Sequence, residues 1–362
     1  MKKAVLAISV SLLMASTTMG FASETSLSIM SYNVENLFDT ADDPKNPHDD
    51  TYLPKAEKDA RGAAHVKSCE DNNNREWYVK DCLNMDWSKS TYETKLSALA
   101  SVITSFDELP AVLVLPETEN KQVVTDLMGK LPAGSFPEVV QLNSSAEKGN
   151  RGIDVAMVSK LPLKSDPKAI KVFPENGGEG ACRVTRDIVQ AEFELPTGES
   201  LHVFGVHFPS GGRGLDCRLQ AFDVLNDAFK ALPPNSLAIA AGDFNFNCGD
   251  WTRSDKVVQK KAAEIGWAYS DKVNSCKAPG SSFYWKNKTW SFLDVIMASP
   301  AMTEASASWK ADIGSFTEVI SHDSQMRTDA ETGLVVPNRF NIKTGKGVSD
   351  HLPVAMTISS EK

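Results

Sequence analysis

The sequence lacks the features that would mark a membrane protein, a solenoid or a metal–thiolate protein. Beyond an apolar stretch at Ala4–Met14, no segment of the 362 residues is long and apolar enough to span a bilayer as a helix. No Gly/Ser/Pro-rich linker interrupts the chain and no repeat recurs at a solenoid period, so one domain is expected although the length would allow two. None of the six cysteines stands in a Cys-x-x-Cys pair and the six histidines form no tract, which removes the usual signature of a zinc site. Basic residues are also in short supply. There are 38 Lys and Arg against 47 Asp and Glu, a formal net charge of −9. Nucleic-acid binding rests on Lys and Arg neutralising phosphates, so this balance argues against such a partner unless the cations are gathered locally.

At the N-terminus, Met1-Lys2-Lys3, the apolar run Ala4–Met14 and small residues ending at Ala22 read as a secretory signal peptide, residues 1–22, leaving 23–362 as the working domain. A secreted or periplasmic protein meets an oxidising compartment, where disulfides are the default state of an even set of cysteines.

What the sequence does contain is one recurring pattern. Leu237–Ala240 reads as a buried strand and runs out into Gly242-Asp243-Phe244-Asn245. Leu27–Tyr32 gives way to Asn33-Val34-Glu35-Asn36, and the continuous apolar run Ala111–Leu115, typical of a strand covered on both faces, ends in Pro116-Glu117. Leu201–Val206 ends in His207, Phe292–Ile296 carries Asp294 inside it, and Asp350-His351 precedes the strand Val354–Ile358. Any single case is explained as a strand-exit turn, since Gly, Asp and Asn favour turns. Six in the same context argue for one shared polar site, because catalytic residues concentrate on loops held by a rigid sheet. Tyr92–Phe106 and Leu215–Leu232 carry apolar residues at helical spacing and are expected as outer helices.

These segments, together with Tyr32–Asp39, Glu117-Thr118-Glu119-Asn120 and Arg151–Ala156, resemble the endonuclease/exonuclease/phosphatase superfamily (deoxyribonuclease I-like), and within it a largely secreted bacterial branch. The match runs in the family's order from about Ser28 to Ile358. It implies an α/β fold, a four-layer sandwich of two mainly antiparallel β-sheets flanked by helices, and metal-dependent hydrolysis of a phosphoester. A polar segment at about 42–89, rich in Asp, Asn, Lys and Glu, reads as an insertion. Spacing alone leaves the cysteine connectivity open. Proximity along the chain suggests Cys69–Cys82, the resemblance implies Cys248–Cys276 by their offset from Gly-Asp-Phe-Asn, and Cys182–Cys217 is what remains.

The resemblance also assigns roles. Glu117 is the expected ligand of a hard divalent cation, Mg²⁺ or else Mn²⁺ or Ca²⁺, with the Asn33 carbonyl beside it, Glu35 acting through water and Asp350 close by. Asp243 orients or deprotonates the attacking water and Asn245 donates to the scissile phosphate. His351, oriented by Asp294, is either a general base or an imidazolium on the phosphate. His207 assists the leaving oxygen or binds phosphate, with Asp154 and Glu147 as candidates for its acidic partner. Arg186 is either a phosphate contact or half of a surface ion pair. Lys148, Arg151, Arg183, Arg186, Arg213 and Arg218 could form a basic rim. His48, His65, His202 and His322 belong to no matching motif. Trp285 and Trp290 flank a hairpin turn, where packing competes with base stacking as their role. The chain departs from the family at Pro116, where relatives often carry Gln.

Three readings follow. The first is a secreted, metal-dependent nuclease on DNA or RNA with little sequence preference, monomeric, with nucleic acid as substrate, no membrane anchor and no protein partner. The second is a phosphatase or phospholipid phosphodiesterase on the same core. The third is a non-catalytic binding module, which the complete set of polar residues disfavours.

Overall fold

The computed structural model describes residues 25–73, 75–143, 151–174, 176–180 and 182–360; the expected signal peptide, Glu147 and Lys148 lie outside the described residues. In chain order the strands are β1 (Thr25–Ser31), β2 (Val112–Thr118), β3 (Glu138–Gln141), β4 (Asp154–Ser159), β5 (Lys168–Ile170), β6 (Ile188–Glu194), β7 (Ser200–His207) and β8 (Leu237–Asp243). They continue with β9 (Ser282–Tyr284), β10 (Thr289–Ser291), β11 (Asp294–Ala298), β12 (Lys310–Glu318), β13 (Met326–Thr328), β14 (Val335–Pro337) and β15 (Val354–Ser360).

One sheet has the order β12-β15-β1-β2-β4-β3 and the other β11-β8-β7-β6-β5. Each is antiparallel except for one central parallel pair, β1 with β2 and β7 with β8. The two sheets pack face to face, as expected from the sequence. Val114, Val155 and Met157 of the first sheet close on Gly205 of β7, where a Cβ would stand 2.8 Å from the Met157 methyl. Side chains from both inner faces, among them Ile29, Met356, Val203 and Phe204, form one buried cluster. Deleting one of the larger members would cost about 2–5 kcal/mol.

Helices cover the outer faces. α1 (Lys55–Arg61), α2 (Ala63–Asn72) and α3 (Glu76–Asn84) occupy the polar segment at 42–89, which is therefore largely helical, with Cys69–Cys82 joining its last two helices. Trp87 anchors its far end by donating its indole N–H to Phe38 O at 3.0 Å. α4 (Lys89–Thr104) starts at Ser88, whose side chain accepts the Thr91 N–H, and buries Leu96, Leu99 and Ile103 against the first sheet. α5 (Lys121–Met128) is capped in the same way by Asn120. On the other side α6 (Leu215–Lys230) packs Ala221, Phe222 and Leu225 onto the second sheet. Cys182–Cys217 and Cys248–Cys276 are also bonded, so all three expected pairings are present.

Candidate active site

The strand directions bring Asn33, Glu117, His207, Asp243, Asp294 and His351 to one edge of the sandwich. β1, β2, β7 and β8 end there, while β4, β6, β11 and β15, antiparallel to them or to their neighbours, begin there. Across the second sheet His207 pairs in register with Asp243, and Asp243 with Asp294. In-register residues project from the same face, so these three side chains stand side by side. The spacing depends on Gly242 (φ 144°), whose missing Cβ would lie 2.0 Å from Val206 O.

The first sheet meets this row through Asn33, Glu117 and His351. Asn33 donates its amide to Asp243 Oδ2 (3.2 Å), while its carbonyl oxygen accepts the Glu35 N–H (3.0 Å). A bulge at the end of β2 turns Glu117 out of the ladder, with Oε1 3.7 Å from His207 Nε2. That same His207 nitrogen is 3.6 Å from Asp243 Oδ2. His351 Nδ1 lies 2.6 Å from Asp294 Oδ2. Asn245 donates its backbone N–H to Asp243 Oδ1 (2.8 Å) and its side-chain amide to Phe208 O (3.1 Å).

Backbone strain gathers here as well. Glu35, Asn36, Glu117, Arg151 and Asn245 all have positive φ, although none is a glycine. Non-glycine residues are held in that region at a cost, and such residues cluster at functional sites. Asn36 N–H donates to Glu117 Oε2 (2.9 Å), so two of the strained residues brace each other.

Residues 65–360 match the Endonuclease/Exonuclease/phosphatase family. The chain belongs to that family. Family members are metal-dependent phosphoester hydrolases, and the chain shares that type of function. Three similar solved structures reproduce the fold at 14% identity. They are a family protein from Bacteroides thetaiotaomicron (TM-score 0.55; 93% of this chain, 99% of that one), the mannosyl-6-phosphatase Bt3783 of the same organism (0.53; 92% and 99%), and D. rerio TDP2 complexed with a single-strand DNA product (0.51; 92% and 99%). No curated protein matches the sequence.

Within this family member the two histidines are driven in opposite directions. Burial opposes charge on His351, but the Asp294 carboxylate overrides it and carries the pKa well above the ordinary imidazole value. His207 is pushed well below that value by burial and by the nearby Arg186 and Arg151. The first therefore stays cationic at neutral pH and the second neutral. Asp243 is raised to about 7 by burial and by the charge of Asp294. Glu35 is raised to about 7 by burial and the charge of Asp350. Neighbouring environments that separate pKa values in this way set apart acids and bases.

The other candidates are placed less uniformly. Glu35 pairs with Arg339 and accepts the Asp350 N–H (3.1 Å), which draws Asp350 and Glu35 together under the exposed Arg339. Arg186 is not half of a surface ion pair. It is 4% exposed, donates to Phe208 O at 3.2 Å, and its Nε has no partner among the described residues. The basic rim is real only in part. Arg151 and Arg213 lie close enough to perturb Arg186, and Arg183 and Arg151 close enough to perturb Arg213. Arg218 is instead buried, paired with Asp250 (2.8 Å) and set over the Phe246 ring. His207 Nδ1 has no hydrogen-bond partner among the described residues, so no such bond joins it to Asp154.

Two residues, Arg339 and Lys95, were missed from the sequence, and Arg151 was read there only as part of the basic rim. Arg151 donates to Asn36 Oδ1, and its charge is felt by both His207 and Arg186. Arg339 holds Glu35. Lys95 is buried in α4, donates to Val348 O, and lies under the charges of Glu35 and Asp350, while burial lowers its pKa. A signal existed for Lys95 alone, since it interrupts the apolar stripe of Tyr92, Leu96 and Leu99.

The donor set suits a hard divalent cation. Glu117 and Asp243 converge on one imidazole nitrogen, the Asn33 side chain reaches Asp243 through its amide nitrogen, and Asp243 is reluctant to ionise in that company. A divalent ion would relieve the crowding with oxygen ligands alone.

Proposed function

We propose that this protein is an exported, divalent-metal-dependent phosphodiesterase that cleaves DNA or RNA with little sequence preference. The observation that carries the reading is the joined row His207–Asp243–Asp294–His351, with Glu117 facing it from the other sheet. Glu117, Asn33 and Asp350 would hold Mg²⁺ or Mn²⁺, and Glu35 would support Asp350 from below. When bound, the cation supplies charge stabilisation at the phosphoryl oxygens.

The remaining chemistry belongs to side chains. Asp243, poised near pH 7, accepts the proton of the attacking water. His351, kept as an imidazolium by Asp294, donates to a non-bridging phosphoryl oxygen, and Arg186 offers its unpartnered guanidinium edge to the same charge. Neutral His207 donates a hydrogen bond without competing for the proton that Asp243 takes. Asn245, fixed by Phe208 O, has a second amide N–H for the phosphate.

Nucleic acid is favoured because Arg151, Arg183, Arg186 and Arg213 extend positive charge beyond what a single phosphate needs. Three disulfides, and no helix among the described residues long and apolar enough to cross a membrane, are compatible with export. A second reading, phospholipid phosphodiesterase, has one observation in its favour. Tyr284 and Trp285 are 60% and 44% exposed on the β9–β10 hairpin, which reaches the site through the Ser282–His351 bridge.

The test incubates purified protein with supercoiled plasmid, RNA, phospholipid vesicles and a chromogenic phosphomonoester, each with Mg²⁺, Mn²⁺ or EDTA. The expected result is nicking of plasmid that EDTA stops and that Asp243→Ala and His351→Ala each abolish. Turnover of vesicles alone would transfer the site to the second reading.

A further inference from the structure

A second acidic group lies in the loop between β1 and α1, apart from His207. Carboxylate oxygens of Asp42, Asp49 and Asp50 lie within 4.8 Å of one another. Asp42 and Asp50 border a cavity of about 210 Å³ lined also by Asp43, Arg61 and His65, and Asp49 lies behind them. Asp49 is 1% exposed. Its Oδ2 accepts the Asp43 N–H, but Oδ1 has no partner among the described residues.

Arg61 only partly balances this charge. It contacts Asp42 (2.9 Å) and Asp50 (3.2 Å) but is shared with Glu57, and among the described residues no ion pair reaches Asp49. His65 Nδ1, 3.9 Å from Asp50 Oδ1, likewise has no hydrogen-bond partner. A buried carboxylate oxygen with neither donor nor cation is costly, and the molecule must neutralise it or supply a counter-ion. Nearby Glu119 accepts the Asp39 N–H at 2.9 Å.

We propose that Asp42, Asp49 and Asp50 form a structural calcium site, separate from the catalytic centre. Oxygen donors on an irregular loop suit calcium, which accepts variable geometry at longer distances, better than magnesium, which demands a near-ideal octahedron. The site fastens the loop to the strand ends that carry catalysis. Asp39 of this loop joins Glu119, two residues beyond Glu117, and Asn46 packs so closely on Gly152, beside Arg151, that a Cβ there would stand 2.1 Å from its amide.

The experiment follows thermal unfolding of the full chain, stripped with EDTA and dialysed, against added CaCl₂. Glu117→Gln serves as the background that removes the proposed catalytic ligand, so that failure of the catalytic reading is scored separately. About 5 mM calcium should raise Tm by about 2–4 °C in the native chain and in Glu117→Gln, and should not in Asp49→Asn. Calorimetric titration should show one calcium per chain surviving Glu117→Gln. If Asp49→Asn does not fold, Asp42→Asn, at a partly exposed position, must weaken calcium binding at least about tenfold. The proposal is overturned if Glu117→Gln abolishes the shift, if Asp49→Asn retains it, if zinc stabilises and calcium does not, or if lowering the pH from about 8 to 6 raises Tm and calcium adds nothing.

Discussion

Asp294 Oδ2 and His351 Nδ1 meet at 2.6 Å although 57 residues separate them in sequence, and Asp294 is completely buried. The carboxylate gains its position from β11, which begins at Asp294, and from the Ser281 hydroxyl, which accepts the Asp294 N–H (3.0 Å). The imidazole gains its own from Ser349, which accepts the His351 N–H and donates to Asn33 O. This pair fixes which nitrogen of His351 faces substrate.

Asp294→Asn should lower kcat/KM about 10²–10⁴-fold and move the alkaline limb of the pH–rate profile to lower pH. Because folding raises the His351 pKa, its contribution to stability is full below about pH 6.5 and lost as pH climbs through the raised value. The substitution should therefore cost more stability at pH 6 than at pH 10. Kinetics and urea midpoints at the two pH values check both statements; an unmoved alkaline limb would count against a cationic His351.

Asp243 carries the opposite sign. Between its ordinary value of 3.8 and about 7 the native state holds a proton that the unfolded chain releases, so stability falls as pH rises through that interval. In EDTA at pH 8, Asp243→Asn should be more stable than the native chain by about 1–2 kcal/mol, after allowance for the weakened bond to Asn33, and inactive. Guanidinium unfolding at pH 8 and pH 4 measures the difference, which should shrink at the lower pH.

Arg186→Met should separate binding from folding. Removing a buried guanidinium that forms no ion pair among the described residues and donates to Phe208 O should cost about 1 kcal/mol of stability or less, while kcat/KM on the phosphoester substrate drops at least about tenfold. A large loss of stability together with full activity would show that Arg186 is structural.

Gly242→Ala should destabilise by about 3 kcal/mol or more, because its Cβ would collide with Val206 O and its φ of 144° is closed to other residues. The denaturant midpoint reads the loss. Gly198→Ala (φ 83°), where nothing lies within 4 Å of the added carbon, controls for backbone strain without collision.

Legibility in the sequence followed local pattern. The strands bearing Asn33, Glu117, His207 and Asp243 were visible because buried runs end abruptly in polar residues, and Asp294 because it sits inside an apolar run. The helices of the insertion were not, since its Asp, Asn, Lys and Glu show no apolar stripe and its stability comes from Cys69–Cys82 and from Tyr52 stacked on Phe38 at 3.9 Å. Arg339 left no trace, because it reaches Glu35 from an irregular segment 304 residues away. The charge count, summed over the whole sequence, could not show that Arg151 and Arg213 lie near enough to Arg186 to act on it.

The pairing of β1 with β15 has a consequence for the newborn chain. Asn33 leaves the ribosome among the first catalytic side chains and His351 among the last, and the two are brought together only when Val354–Ser360 zips onto Thr25–Ser31. A half-made polypeptide thus keeps these polar groups in separate fragments, and the pocket closes only when synthesis has run almost to completion.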